Sequence, residues 1–398
     1  MIVLYNPHVD DFLATPPHFK LLKRKALKKY GFIIEGILNQ SGKIDVLVDG
    51  TISVFLSPSL FDFLPYFIRI LIARAEFSCW KYVNGLSKKC EIVDVGQGDY
   101  SNSTLLMFSY KASTGRLFRK RCASLSVFRA VIVHLSHYFI ATQEKSDNLS
   151  RIQNVWLAGD SDISSNPYFQ HFFPWYEKQF LVLNFAVSAR FRMIKKYDDR
   201  NDACVATGSF HDLSKEIPKE KYSDFQDFFG QNTYHPIRKY IYENQQDISE
   251  NIKSYVSPYR NYEDSNRIWR KFRHFIVNQK SYFALDIVEL YNEFRFVVVG
   301  EEESGFPALG AFEAMVCGAV LIADSRAYIG LGLEDGKHYL SHDGSVENIL
   351  AVIKKAQKDE IKLKEISKNG VRFIDQNMRS AAAFRSLIKL TEDLTGDV

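Results

Sequence analysis

Along roughly the first 188 residues, short runs of continuous apolar side chains alternate with longer stretches in which apolar positions recur every three or four residues. "MIVLY", "IDVLV", "VFRAVIVHL" and "FLVLNFAV" are such runs, apolar but for one or two polar residues in the last three. A strand with one wet face would alternate, so these runs predict strands covered on both sides. With helical periods between them, they give the rhythm of βα units in a parallel sheet. The longest run, "ISVFLSPSLFDFLPYFIRILIA" (Ile52 to Ala73), carries Pro58, Asp62, Pro65 and Arg69. Those are too many interruptions for a membrane span, and the run reads as a buried strand followed by a core helix.

The rhythm breaks over "SARFRMIKKYDDRND" (Ser188 to Asp202), dense in charge, and restarts with "ACVATGSF". A domain junction is expected there, with residues 1–190 and 200–380 as two α/β domains and 381–398 as a closing helix. After an aromatic and polar section from Phe210 to Tyr282 comes "FRFVVVGEEESGFPALGAFEAMVCGAVLIADS". Its pattern predicts a strand over Phe294 to Val299, a glycine-containing loop to Pro307, a helix over about Leu309 to Val316 and a strand over Ala319 to Ala323. "GSVENILAVIKKAQ" predicts a helix capped by Ser345 with Ile349, Leu350 and Ile353 on one face, and the last helix is expected around Ser380 to Leu394. Two Rossmann-like domains facing a central cleft is the expected architecture.

Composition narrows the function classes. The chain has 398 residues, enough for two cores, and 46% hydrophobic with 25% charged residues is ordinary for a folded protein. Its five cysteines are scattered without a CxxC pair, which argues against a disulfide framework or a zinc site and suits a reducing, cytoplasmic compartment. The start, "MIVLYNPHVDD", lacks the layout of an export signal. A net charge of +4 does not demand nucleic acid. The charge is clustered, however, in "KLLKRKALKK" (Lys20 to Lys29) and in Arg116, Arg119, Lys120 and Arg121. An anionic membrane surface, a polyanionic acceptor and a solvated helix face all fit such clusters. The acids of "YDDRND" lie in the linker-like run and make a poor metal site, and there is neither a GxSxG elbow nor a phosphate-binding Gly-Lys-Ser/Thr loop.

A strand that ends in glycine and feeds a helix presents free amides and a positive dipole end to an anion. Ser304 would add a hydroxyl there and Gly305 would allow close backbone approach. Glu313 falls inside the helix on an otherwise small, apolar stretch, where a carboxylate is costly unless it has partners such as ribose hydroxyls; a solvent-facing helix glutamate is the alternative.

The string "EESGFPALGAFEAMVCGAVLIADS" (Glu302 to Ser325) resembles the nucleotide-sugar loop of GT-B glycosyltransferases, and "LGLEDGKHYLSHD" resembles the turn that precedes the last helices of that class. The resemblance implies a ribose contact for Glu313. It places the pattern's first acid at Glu301, Glu302 or Glu303, with Glu302 taken as donor-binding, because nine residues separate Glu303 from Glu313, more than the usual spacing. It also implies an acceptor-side first domain and a donor-binding second one.

"CVATGSFHDL", "YHPIRKYIYEN" and "GFPALGAFEAM" together look like the retaining β-Kdo transferases of bacterial O-antigen or capsule assembly. That resemblance implies CMP-β-Kdo as donor, no metal cofactor, a lipid-linked polysaccharide acceptor and peripheral contact at the cytoplasmic face of the inner membrane. His235, followed by Pro236, is then the donor-phosphate contact. Arg238, with Lys239, would add positive charge near the donor unless they form a solvated helix face, and His211, next to Asp212, would line the site. Where the family carries a nucleophilic aspartate three residues before the histidine, this chain has Asn232, consistent with an inactivated variant. In "WLAGDSDISSNP", Asp160 and Ser161, with Asp162, are acceptor-side candidates, against an ordinary turn. A GT-B enzyme using a UDP- or GDP-sugar, and a non-catalytic glycan- or sugar-nucleotide-binding module, are the alternative readings.

Overall fold

A computed structural model describes residues 1–21, 28–96, 98–108, 112–215, 219–259 and 285–396. The chain forms two compact units: Met1–Asp160 with Phe169–Ala186 and Ser380–Val398, and Ser161–Tyr168 with Val187–Arg379. The division differs from a single cut near residue 190. The stretch Ser161–Tyr168 packs with the second unit, where the Asp162 amide donates to Ile329 O, and the last helix belongs to the first.

The first unit is built on seven strands, β1 (Ile2–Tyr5), β2 (Ile44–Leu47), β3 (Cys90–Val93), β4 (Thr104–Phe108), β5 (Ala130–His134), β6 (Val155–Gly159) and β7 (Leu181–Val182). All pairings are parallel, in the order β3-β2-β1-β4-β5-β6-β7. Every residue of β2, β4 and β5 is buried, as expected of mainly apolar strands covered on both faces. Its helices are α1 (Pro17–Leu21), α2 (Gly31–Ser41), α3 (Pro58–Asp62), α4 (Tyr66–Val83), α5 (Gly115–Arg121), α6 (Thr142–Leu149) and the terminal α14 (Ser380–Gly396), while α7 (Pro167–Phe172) begins in the segment that packs with the second unit. The terminal helix lies so close on α2 that a Cβ at Gly36 would stand 2.3 Å from the Phe384 ring.

The second unit carries β8 (Asn201–Phe210), β9 (Ile252–Pro258), β10 (Phe294–Val298), β11 (Val320–Asp324) and β12 (Leu340–His342), all parallel, in the order β12-β11-β10-β8-β9. Its helices are α8 (Ser223–Phe229), α9 (Pro236–Glu243), α10 (Ile287–Glu293), α11 (Leu309–Val316), α12 (Val346–Ala356) and α13 (Glu360–Asn377). The strand-loop-helix-strand expected from Phe294 onward is present, and the Ser345 side chain caps α12 by accepting from the Asn348 amide. The charged run after Ser188 holds no strand before β8. Buried Arg200 ties it down, donating to Lys195 O at 2.9 Å and to Cys317 O.

Some expectations fail for local reasons. Residues 52–73 contain no strand; Pro58 instead opens the first turn of α3 and Pro65 is the residue that caps α4, proline being favoured at a helix's beginning and unable to serve a ladder. "FLVLNFAV" yields only the two-residue β7. Of the basic run Lys20 to Lys29, residues 22–27 lie outside the described residues. Lys29, at its end, is buried against Asp160 rather than solvated. No helix among the described residues is long and apolar enough to cross a membrane.

Candidate functional site

In the second unit the chain builds outward from β8 in one direction with β9 and from β10 in the other with β11 and β12. The topological switch point therefore lies between β8 and β10, and ligands of such sheets collect beyond the carboxyl ends of the strands there. The loop after β10 and the turn that starts α9 meet at this point. The His235 ring Nδ1 lies 3.2 Å from Glu301 O, and the Glu303 amide donates to Tyr234 O at 2.9 Å. Since a carbonyl only accepts, Nδ1 carries the proton, and Nε2 of His235 donates to a ligand only when the ring is imidazolium. Pro236 occupies the first turn of α9, with His235 as the preceding cap residue.

Arg238, one turn along α9, is buried, and its guanidinium donates to Val299 O (2.6 Å), Ser209 O (2.7 Å) and Gly300 O (2.8 Å). The expected donor contact is thus a staple across the ends of β8 and β10. Lys239 faces outward in an i,i+4 pair with Glu243. His211 stacks on Tyr234 with ring centroids 5.1 Å apart and meets Tyr259 at 4.7 Å. Asp212 takes the turn reading, accepting from the Ser214 amide and hydroxyl.

The loop itself is tightly folded. The Glu302 amide donates to Phe306 O and the Gly305 amide to Glu302 O, while the buried Ser304 hydroxyl donates to the Glu302 carboxylate at 3.2 Å. Gly305 has φ +99°, and a Cβ there would come within 2.7 Å of Asn166 Nδ2. Ser161 Oγ donates to Gly305 O, so this acceptor-side candidate supports the loop after β10. Asp162 accepts from the Ser164 amide as an ordinary turn former.

Glu313 lies on α11, partly exposed, in surroundings dense enough that burial pushes its carboxyl from 4.5 to about 7, with the Arg190 charge opposing. No hydrogen bond to that carboxyl is found among the described residues. Glu301 differs: burial likewise raises it to about 7, but Tyr328 donates to it at 2.9 Å and His342 Nε2 stands 4.0 Å away. Tyr328 follows β11 and His342 ends β12, and sequence reasoning missed both; the ends of those two strands were the signal available.

Asn232 is exposed. Its side-chain oxygen accepts from Gln226 Nε2 at 2.9 Å, and its carbonyl accepts from the Leu213 amide. Asp160 lies in the first unit, in a buried group at the end of β6 rather than on an open loop. Lys29 pairs with it, Tyr30 Oη donates to it, and His134 Nε2 lies 2.8 Å from that hydroxyl. Burial alone would raise the Asp160 carboxyl, but the Lys29 charge and His134 hold it well below the usual carboxylate range.

Residues 240–389, less than half of the chain, match the family model described as "Glycosyl transferase-like". Among solved structures, sucrose-phosphate synthase from Thermosynechococcus elongatus aligns over 100% of this chain and 99% of its own, with 13% identity and a TM-score of 0.51. HepE from Anabaena, in complex with UDP, aligns over 99% of this chain and 100% of its own, with 13% identity and a TM-score of 0.50. The fold is GT-B. No curated protein matches the chain. As a GT-B chain it carries two parallel-sheet α/β domains, and the matched region holds the Gly300 loop, α11 and Glu313.

Proposed function

We propose that the chain is a glycosyltransferase that takes a nucleotide-activated sugar at the carboxyl edge of the second unit's sheet, with a UDP-sugar as the best-supported donor. The observation that carries the reading is Glu313. It is a carboxyl raised by burial, without a hydrogen-bonding partner among the described residues, on the helix that follows a switch-point glycine loop. Ribose hydroxyls would supply the missing donors, and the amides at the start of α11 would favour the phosphates. HepE, a neighbour in fold, is described in complex with UDP, which supports the uridine nucleotide.

A second reading, Kdo transfer with retention from CMP-β-Kdo to a lipid-linked polysaccharide at the cytoplasmic membrane face, is favoured by one feature. His235, ahead of Pro236, is pinned to the loop through Glu301 O. Retention through a covalent intermediate needs a carboxylate to attack the anomeric carbon while the bond to the nucleotide phosphate breaks and the phosphate leaves with the electron pair. An acceptor hydroxyl then displaces the carboxylate. Asn232 has no such nucleophile, so Asn232→Asp should raise transfer from CMP-Kdo by orders of magnitude; an unchanged rate refutes that residue's role.

Thermal shifts with UDP, CMP and GDP, each added separately, decide between donors. Selective stabilisation by UDP that Glu313→Ala abolishes is the expected result. Selective stabilisation by CMP moves the assignment to the Kdo reading, by GDP to a GDP-sugar, and stabilisation by none of them overturns the donor-site proposal.

A further inference from the structure

The first unit exposes apolar side chains where its helices α3 and α4 meet. Phe63 is 88% exposed, Phe67 65%, Leu71 62% and Leu60 53%. Single exposed apolar residues are ordinary, but a contiguous ridge of large ones on a folded domain marks a surface that is covered in use. The spacing makes the ridge one face. Phe67, Leu71, Arg74 and Ser78 are exposed at i, i+4, i+7 and i+11 of α4, while Ala73, Glu76, Phe77 and Trp80 on the opposite side are buried. The helix is thus amphipathic twice over, apolar toward the core and apolar again toward solvent at its amino-terminal end.

Beside the ridge runs a cationic helix. α3 packs against α5, whose sequence "GRLFRKR" supplies Arg116, Arg119, Lys120 and Arg121, and the Arg116, Arg119 and Lys120 side chains are exposed. Tyr66, at the start of α4, joins the two. Arg121 donates to its hydroxyl at 2.9 Å and lies 5.1 Å from its ring centroid, with the Arg69 guanidinium 5.6 Å from the same ring. Asp49, accepting from Arg121 Nε at 3.4 Å, fixes that arginine from the sheet side and leaves the rest of the cluster uncompensated by it.

We infer that this ridge and its cationic border form a docking surface for an anionic lipid bilayer, with Phe63, Phe67 and Leu71 entering the headgroup boundary and Arg116, Arg119 and Lys120 meeting the lipid phosphates. Exposed phenylalanines flanked by arginine and lysine suit the acyl boundary and the negative surface of such a membrane together, and a helix lying in the interface plane need not span it. None of these residues is among those of the proposed donor site. The inference rests on the second functional reading only for the lipid-linked acceptor that would explain why docking is useful.

The test is co-sedimentation of the full chain with vesicles of equal parts phosphatidylcholine and phosphatidylglycerol, against vesicles of phosphatidylcholine alone. Binding to the anionic vesicles that weakens in high salt is expected. The double variant Phe63→Ser with Phe67→Ser should lose about a hundred-fold in partitioning, about ten-fold for each aromatic withdrawn from the boundary. Reversing Arg119→Glu with Lys120→Glu should cost at least about twenty-five-fold, each basic residue at such a surface contributing about five-fold. All four positions are exposed, and an unchanged melting temperature verifies the fold. Absence of binding, binding that both double variants leave intact, or equal binding to neutral vesicles overturns the inference. So does a concentration-dependent dimer that the phenylalanine variant dissolves, which would assign the ridge to a second copy of this chain. Nucleotide-induced thermal shifts of the same proteins report separately on the donor site, so either reading fails without the other.

Discussion

Replacing Glu313 by glutamine keeps the side chain's shape and removes its charge, and its consequence for stability is opposite in sign to its consequence for function. Burial lifts the carboxyl from 4.5 to about 7. A group whose folded value is raised binds more protons in the folded state between those two values, so stability falls as pH rises from about 4.5 to 7 and stays reduced above. At about 1.4 kcal/mol per pH unit the lift corresponds to about 3.5 kcal/mol for a sealed group. Partial exposure of Glu313 brings the expected figure to about 2 kcal/mol. Glu313→Gln is therefore expected to stabilise the ligand-free second unit at pH 8 by about 2 kcal/mol, seen as a rise of roughly 4–8 °C in melting temperature, with little change at pH 4.5. The same substitution should weaken nucleotide binding by about ten-fold or more, because an amide offers the ribose one acceptor oxygen in place of a charged pair. In the unaltered chain, affinity should fall by up to about ten-fold per pH unit below 7 as the carboxyl takes up its proton. Paired melting curves at the two pH values and a nucleotide titration test both halves. A melting temperature that moves equally at pH 4.5 and pH 8, or does not move, refutes the burial argument; unimpaired nucleotide binding refutes the ribose contact.

Three further outcomes follow from named contacts. Arg238→Ala leaves three inward carbonyls without their donor, and urea unfolding should register a loss of about 3 kcal/mol or more in the second unit. A loss under about 1 kcal/mol would show that the staple is unimportant. Gly305→Ala places a Cβ against Asn166 at φ +99° and should lower nucleotide affinity together with melting temperature, by roughly 1–3 kcal/mol in stability. Asp160→Asn strands the buried Lys29 ammonium and should destabilise the first unit by about 3–5 kcal/mol at neutral pH. Because the Asp160 carboxyl is depressed on folding, its contribution is present above the ordinary value of 3.8 and is lost as pH falls below it, so the gap between variant and parent should close in acid.

Much of the second unit was legible because its signals are local. Phe294–Val298, the loop and Leu309–Val316 announce themselves by a continuous apolar run, a glycine and a helical period, each decided by neighbours in sequence. The cap at Ser345 was legible for the same reason. The short strands Cys90–Val93 and Leu340–His342 were not, since an edge strand of three or four residues carries little pattern. The stretch from Ile52 to Ala73 misled because hydrophobicity says that a surface wants covering but not by what. The structure leaves Phe63, Phe67 and Leu71 in the open, where a strand and core helix were expected.

The sequence by itself determined the parallel α/β class, the strand-loop-helix at Gly300 and the presence of a lone carboxyl on a small-residue helix, because periodicity, glycine and composition act over a few residues. Only the tertiary structure decided how those chemical groups are employed. Arg238 looked like a donor cation until three carbonyls of β8 and the Gly300 loop surrounded it, and Asp160 looked like an open loop acid until Lys29, Tyr30 and His134 closed on it. Glu313 kept its carboxyl without a hydrogen-bonding partner among the described residues. A side chain's charge is written in its residue type, but whether that charge is neutralised within the fold or left for a ligand depends on residues brought near from far along the chain.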